Sequence, residues 1–429
     1  MRRHSIFYMS KPPKPGASHA GNVFRFTLAG LILFSLALIA GASALTYKLA
    51  VVSHPKLAET FAIDPSDKTR SVHVGPWGEL VTRDISIERP AEYLTDEVTN
   101  PEPEVWTFKG LKPDAIKALL VNNGLTAARA AAATAPEVCT ETSFGTQITP
   151  SADFLFSLNP ATRGKLYHAL SGLGINTYID FPYIFPGGTI ESIYADARLH
   201  PDDVAMLKRL VYPNGTAQQL GDYQLLLNQI PTVERRVALT LALSRQSAVF
   251  AGLAIKPDTD IDKLASYWGN MPNVRITDIR PIFESLKRLP EGGNLSLLYL
   301  LPKFARDRLY TFPLPPQAGE PTMDCHWTTF NFSNETPDNR FNDPTFAVQY
   351  IQKNYYPIAA PSIYGDVLLL INNRGEVKHS AVYLADDIVF TKNGNNYRQP
   401  WMLMRISDLL ATYPNNPPMQ AIYMRQKTD

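Results

Sequence analysis

A chain of 429 residues, 45% of them hydrophobic, is long enough to bury two or three ordinary cores. Its 41 basic and 40 acidic side chains nearly cancel, which excludes a general electrostatic affinity for nucleic acid or another strongly charged partner. Two cysteines, Cys139 and Cys325, are too few for a disulfide framework, although in an exported chain they could pair with each other.

Residues 1–25 carry Arg2, Arg3, Lys11, Lys14 and Arg25 without an acid, a basic leader of the kind retained in the cytoplasm. Residues 26–47 follow without a charge, long enough for a transmembrane helix. Ala42-Ser43-Ala44 has the spacing of a signal-peptidase site, but the leader is long for a signal peptide, so an uncleaved single-pass signal anchor is the preferred reading. Either way the body is expected outside the cytoplasmic membrane, on the periplasmic side, with the membrane as its first partner.

Residues 48–104 alternate apolar and polar positions between Pro and Gly, which predicts a few short strands and a linker. Residues 105–308 read as mainly helical and of unknown role. Helix starts are expected at Pro113, Asn159-Pro160, His200 and Thr232, the last helix running to Gln246, with further helices over 258–268 and 278–289. "SAVFAGLAIK" and "NLSLLYLL" look like buried strands. His168 and His200 stand alone, with no second ligand at metal spacing, and no metal or cofactor is expected.

Residues 309–429 predict an α+β domain. Asp324 caps a helix opening at Cys325, Asn342-Asp343-Pro344 starts a second helix, and strands over 367–371, 379–384 and 388–392 form an antiparallel meander. A cysteine in a first helical turn gains from the exposed amides, and an imidazole can complete its activation. His326 is its neighbour, but adjacent helical side chains diverge by about 100°. His379, 54 positions on, opens a strand able to pack on the helix.

"MDCHWTTFNF", "YGDVLLL" and "KHSAVYLADDIVF" resemble the NlpC-type branch of the papain-like cysteine peptidases and amidases. The resemblance implies Cys325 as nucleophile, His379 as base, Gly365-Asp366 at the turn into a strand, and Tyr383-Leu384 at the end of the histidine strand. The third member, orienting the imidazole, falls at Thr391 by spacing, with Asn393 as the better amide. Lys392 would bind a substrate carboxylate, and Tyr310 or His326 would face the oxyanion. The family follows Asp-Cys with small residues, whereas here His326 and Trp327 are bulky.

The implied function is a membrane-anchored extracytoplasmic thiol hydrolase, a peptidase or amidase working through an acyl-enzyme, with cell-envelope peptides as substrate. The alternative is a non-catalytic anchored scaffold or binding protein that keeps a papain-like domain.

Overall fold

The computed structural model describes residues 70–173, 175–187, 189–271, 274, 276–314, 323–413 and 418–427, all within one compact unit, Asp67–Asp429. The leader, the expected anchor and Ala42-Ser43-Ala44 lie outside the described residues. Among the described residues no helix is long and apolar enough to cross a membrane.

Strand chemistry after the expected anchor gives a hairpin. Arg70–Gly75 and Gly78–Ile87 pair antiparallel around the two-residue turn Pro76-Trp77, and Gly78 takes φ +95°, which only glycine adopts cheaply. The long strand Gln246–Ile255 pairs with Glu79–Ile87, and Gly293–Ser296 completes a four-stranded sheet. "NLSLLYLL" therefore leaves the strand at Ser296. The Ser296 hydroxyl accepts from the Leu298 amide and starts a 3-10 turn over Leu297–Leu300.

The helix starts between 113 and 232 stand where a first-turn proline or a capping side chain puts them: Pro113–Asn122 by its proline, Pro160–Ser171 behind Asn159, Pro201–Leu210 behind His200 and Val233–Leu243 behind Thr232. The last stops at Leu243, short of Gln246, because Gln246 opens the long strand. These helices and two small three-stranded sheets bury a core running from Trp106 to Leu243.

The C-terminal region is α+β, and its sheet is larger than the expected meander. Six antiparallel strands run in the order Tyr355–Ile358, Gln420–Gln426, Val367–Ile371, Val377–Ala385, Ile388–Lys392, Trp401–Arg405. The division expected at 308/309 does not separate two cores. One cluster runs from Leu80, Leu253 and Trp268 through Phe304 to Trp327, Leu369 and Phe390. Polar clasps cross the same line, with Tyr267 OH donating to Leu384 O at 2.8 Å and Tyr364 OH to Leu300 O at 3.0 Å. The cores divide instead around the segment from Trp106 to Leu243, because the strand Gln246–Ile255 returns to the hairpin.

Both faces of the six-stranded sheet are covered, which is why "VLLLI" reads as an unbroken apolar run. Val367, Leu369, Val382, Phe390 and Leu403 face the Cys325 helix in the first cluster. Leu368, Leu370, Ala381, Val389, Met402 and Met404 face the other way, with Leu409 of the helix Ile406–Thr412.

Candidate functional site

Cys325 is the first residue of the helix Cys325–Phe330, and the Asp324 carboxylate caps it by accepting from the Trp327 amide at 2.7 Å. The side chain is buried, with 4% of the residue exposed, and neither cysteine is bridged. Burial, helped by the Asp324 charge, pushes the thiol up to about 12, against the pull of the Ser380 and His326 amides and the Lys392 charge. At neutral pH it is an un-ionised thiol.

The histidine strand packs on this helix through Ser380, not through His379. Side chains alternate along a strand, and paired residues share a face. Ser380 pairs with Leu369, which faces the Cys325 helix, while His379 pairs with Leu370, which faces away. The Ser380 hydroxyl lies 3.3 Å from Cys325 O, 3.0 Å from Thr329 Oγ1 and 2.9 Å from His326 Nδ1.

On the opposite face both nitrogens of His379 are engaged. Nε2 lies 2.8 Å from Thr391 Oγ1 and Nδ1 2.7 Å from Tyr413 OH, with the Tyr413 ring tilted over the imidazole at 4.6 Å. The residue is wholly buried. Burial, with the charges of His326 and Lys392 adding to it, holds its pKa well below the ordinary histidine range, so the imidazole is neutral. Among the described residues no hydrogen bond joins the Cys325 sulfur to His379.

The strand Ile388–Lys392 sorts the remaining candidates by the same parity. Thr391 pairs with Met402 on the histidine face, and Lys392 pairs with Trp401 on the thiol face. Asn393 belongs with the histidine face through Nδ2, which donates to Met404 Sδ at 3.3 Å. The structure thus brings His379, Thr391 and Asn393 to one face, and Cys325, His326 and Lys392 to the other.

Lys392, expected to bind a substrate carboxylate, spends Nζ on the carbonyls of Gly394 and Asn396, both at 2.9 Å. Burial holds its ammonium down to about 7, although Cys325 and Asp324 favour the charged form. Tyr310 does not reach the thiol by any hydrogen bond among the described residues. Its OH donates to Val249 O at 2.5 Å, and its backbone stands at φ +61°. Gly365 and Asp366 are structural. Gly365 takes φ +100° against Met271, and the buried Asp366 carboxylate pairs with Arg425 Nε at 2.7 Å and accepts from the Ser362 and Ile363 amides.

Three site residues escaped the sequence reading. Ser380 was findable, since strand parity from the apolar Val382 and Leu384 places it on the helix side. Tyr413 and Thr329 carry no local signal, because only the packing of two distant segments brings them to the strand.

Behind the histidine face a cavity of about 550 Å³ opens between the helical core and the C-terminal sheet, with Asp180, Tyr212, Asn393, Gln399 and Tyr413 in its wall. The buried Arg398 fixes the two walls together. Its guanidinium lies over Tyr178 at 4.6 Å and Tyr183 at 5.0 Å and donates to Phe181 O at 2.8 Å. Among the described residues no cluster of His, Cys, Asp and Glu could hold a metal ion. No protein-family model matches this chain, and no curated protein matches it.

Proposed function

We propose that this chain is a membrane-anchored, extracytoplasmic binding or scaffold protein whose C-terminal region keeps the outline of an NlpC-type papain-like domain without its chemistry. One observation carries the reading. The strand register aims His379 at the face opposite the Cys325 helix, where Thr391 and Tyr413 occupy both ring nitrogens. A base so held cannot take the thiol proton without a rearrangement of the sheet, and a thiol pushed up to about 12 is a poor nucleophile at neutral pH.

Iodoacetamide at pH 7.5 tests this on the full chain. The half-buried Cys139 is expected to alkylate first, and Cys325 to react only when denaturant opens the fold. Rapid modification of Cys325 in the native protein would overturn the reading.

A second reading, a thiol hydrolase acting on envelope peptides through an acyl-enzyme, draws on the Ser380 and His326 amides and the Lys392 charge, all of which favour a Cys325 thiolate. On that reading Cys325→Ala and His379→Ala each abolish amide hydrolysis, with His326 or Tyr310 beside the oxyanion. Amide hydrolysis that survives both substitutions removes it.

A further inference from the structure

The cavity behind the histidine face adjoins a second one of about 630 Å³, and Ile184, Gln246 and Thr412 belong to the walls of both, so the two form one groove with two compartments. The floor of the first is a row across a three-stranded sheet. Ile184 pairs with Gln219 and Gln219 with Tyr212, so the three share a face, and all three line the cavity. The Gln219 amide and the Tyr212 hydroxyl have no hydrogen-bond partner among the described residues, and neither polar end is sealed, although the residues are only 8% and 3% exposed. Phe181, 39% exposed, adds an open aromatic ring. At the junction Gln246 spends only Nε2, on Ser244 O at 3.4 Å. In the second compartment the cross-strand pair Ser86 and Ser247 offers two hydroxyls.

Charge on these walls is mostly neutralised. Arg245 is spent on Glu88 and Asp196, and Lys378 on Glu376, while His168 and Asp408 stand in separate compartments. Asp180 turns Oδ2 to the Asn176 amide at 2.6 Å. Its Oδ1, with Asn393 Oδ1, Gln399 Oε1 and the donor Arg398 Nη1, is sealed from the groove, and none of the four takes part in it. The free polar ends are thus amides and hydroxyls, which both donate and accept, and they fit a ligand whose own groups do both. Sugar hydroxyls have that property, and the C–H face of a sugar ring packs on an aromatic ring. An extended peptide recognised by a sheet adds to its edge, whereas this sheet presents its face.

We propose that the groove binds a neutral oligosaccharide, one sugar unit lying by Phe181 and the Tyr212–Gln219 row and the chain passing Gln246 toward Ser86 and Ser247. The proposal rests on the reading of the chain as a binding module and names the class of ligand that the module takes. A failure of that reading appears in the alkylation of Cys325, whereas a failure of this one appears in calorimetry.

Full-length protein in detergent is titrated with cellotetraose and chitotetraose, both neutral, and with their disaccharides. Tetragalacturonate and tetraglucosamine supply charged chains, and acetyl-tetraalanine amide an uncharged peptide. At least one neutral tetraose is expected to saturate, and to bind about tenfold or more tighter than its disaccharide, which fills one compartment only. The charged chains and the peptide should bind at least about tenfold more weakly than that tetraose. Tyr212→Phe, which keeps the ring packed on Tyr167, and Gln246→Leu should each weaken it about three- to tenfold. Saturation by neither neutral tetraose overturns the proposal, as does equal affinity for tetraose and disaccharide, or tighter binding of a charged chain or of the peptide. A tetraose affinity that neither substitution moves overturns it too. If Gln246→Leu lowers Tm, the Tyr212→Phe titration decides.

Discussion

The two faces of the C-terminal sheet are built from the same strands and treat their polar groups differently. On the histidine face, Thr391 and Tyr413 satisfy a neutral imidazole on both nitrogens, a closed network that gains nothing from charge. On the thiol face, two groups are held away from their charged forms. The Cys325 thiol is pushed up and the Lys392 ammonium down, each favouring the other's charge while burial opposes both. Adjacent residues in one strand, His379 and Ser380, therefore belong to separate hydrogen-bond networks, although the charges of His326 and Lys392 still reach the imidazole. Nearness in sequence to a reactive group says little about chemistry when a sheet lies between.

The comparison can be broken at Lys392 first. Its folded-state pKa of about 7 lies below the unfolded value of 10.5, so its stabilising contribution is full above pH 10.5 and is lost as pH falls toward 7. That difference corresponds to on the order of 4–5 kcal/mol between the two limits. Lys392→Met should remove the slope, measured as the wild-type minus variant difference in urea midpoints between pH 7 and 10.5. An unchanged difference would place the amine in water.

His379→Ala, which strands Thr391 and Tyr413 in the interior, should cost about 2–4 kcal/mol in urea unfolding. Because the folded imidazole resists protonation, the wild type should also lose stability as pH falls below about 6.5, and the variant should lose less over that range. Ser380→Ala removes the hydroxyl shared by His326, Thr329 and the Cys325 carbonyl, at about 1–2 kcal/mol. It should leave the His379 titration, followed by NMR, where it was. A shift of that titration by Ser380→Ala would mean that the hydroxyl couples the two faces beyond the charges of His326 and Lys392 that already reach the imidazole.

The smallest effect is expected at Asp324. Asp324→Ala loses the cap at about 1 kcal/mol and withdraws a negative charge from the sulfur, so the Cys325 thiol pKa should fall even as the helix weakens. The pH dependence of thiolate absorbance at about 240 nm, with Cys139→Ser in both the variant and wild type, measures it. A rise in the thiol pKa would contradict the account of the thiol face.

Much of the local structure was legible in the chain. Asn159, Thr232, Asp324 and Asp343 cap helices by short-range hydrogen bonds to amides two or three residues on, and such bonds need nothing from the rest of the fold. The three strands of the meander followed from apolar runs and turn residues for the same reason. The edge strands Tyr355–Ile358 and Trp401–Arg405 and the inner strand Gln420–Gln426 were missed. Gln420–Gln426 is only half-buried, and its pairing with Val367–Ile371 spans about fifty residues of chain, which no local pattern encodes.

The candidate site shows the same limit more sharply. Residue types and their order along the chain put a cysteine in a first helical turn and a histidine on a following strand, and these are properties of neighbouring residues. Which way that strand faces, and therefore whether thiol and imidazole meet, depends on a pairing register in which one step exchanges His379 for Ser380. By itself the sequence determined the caps, the turns and the candidates. Only the tertiary structure, through the packing of two apolar clusters on opposite sides of one sheet, decided which of those candidates share a face.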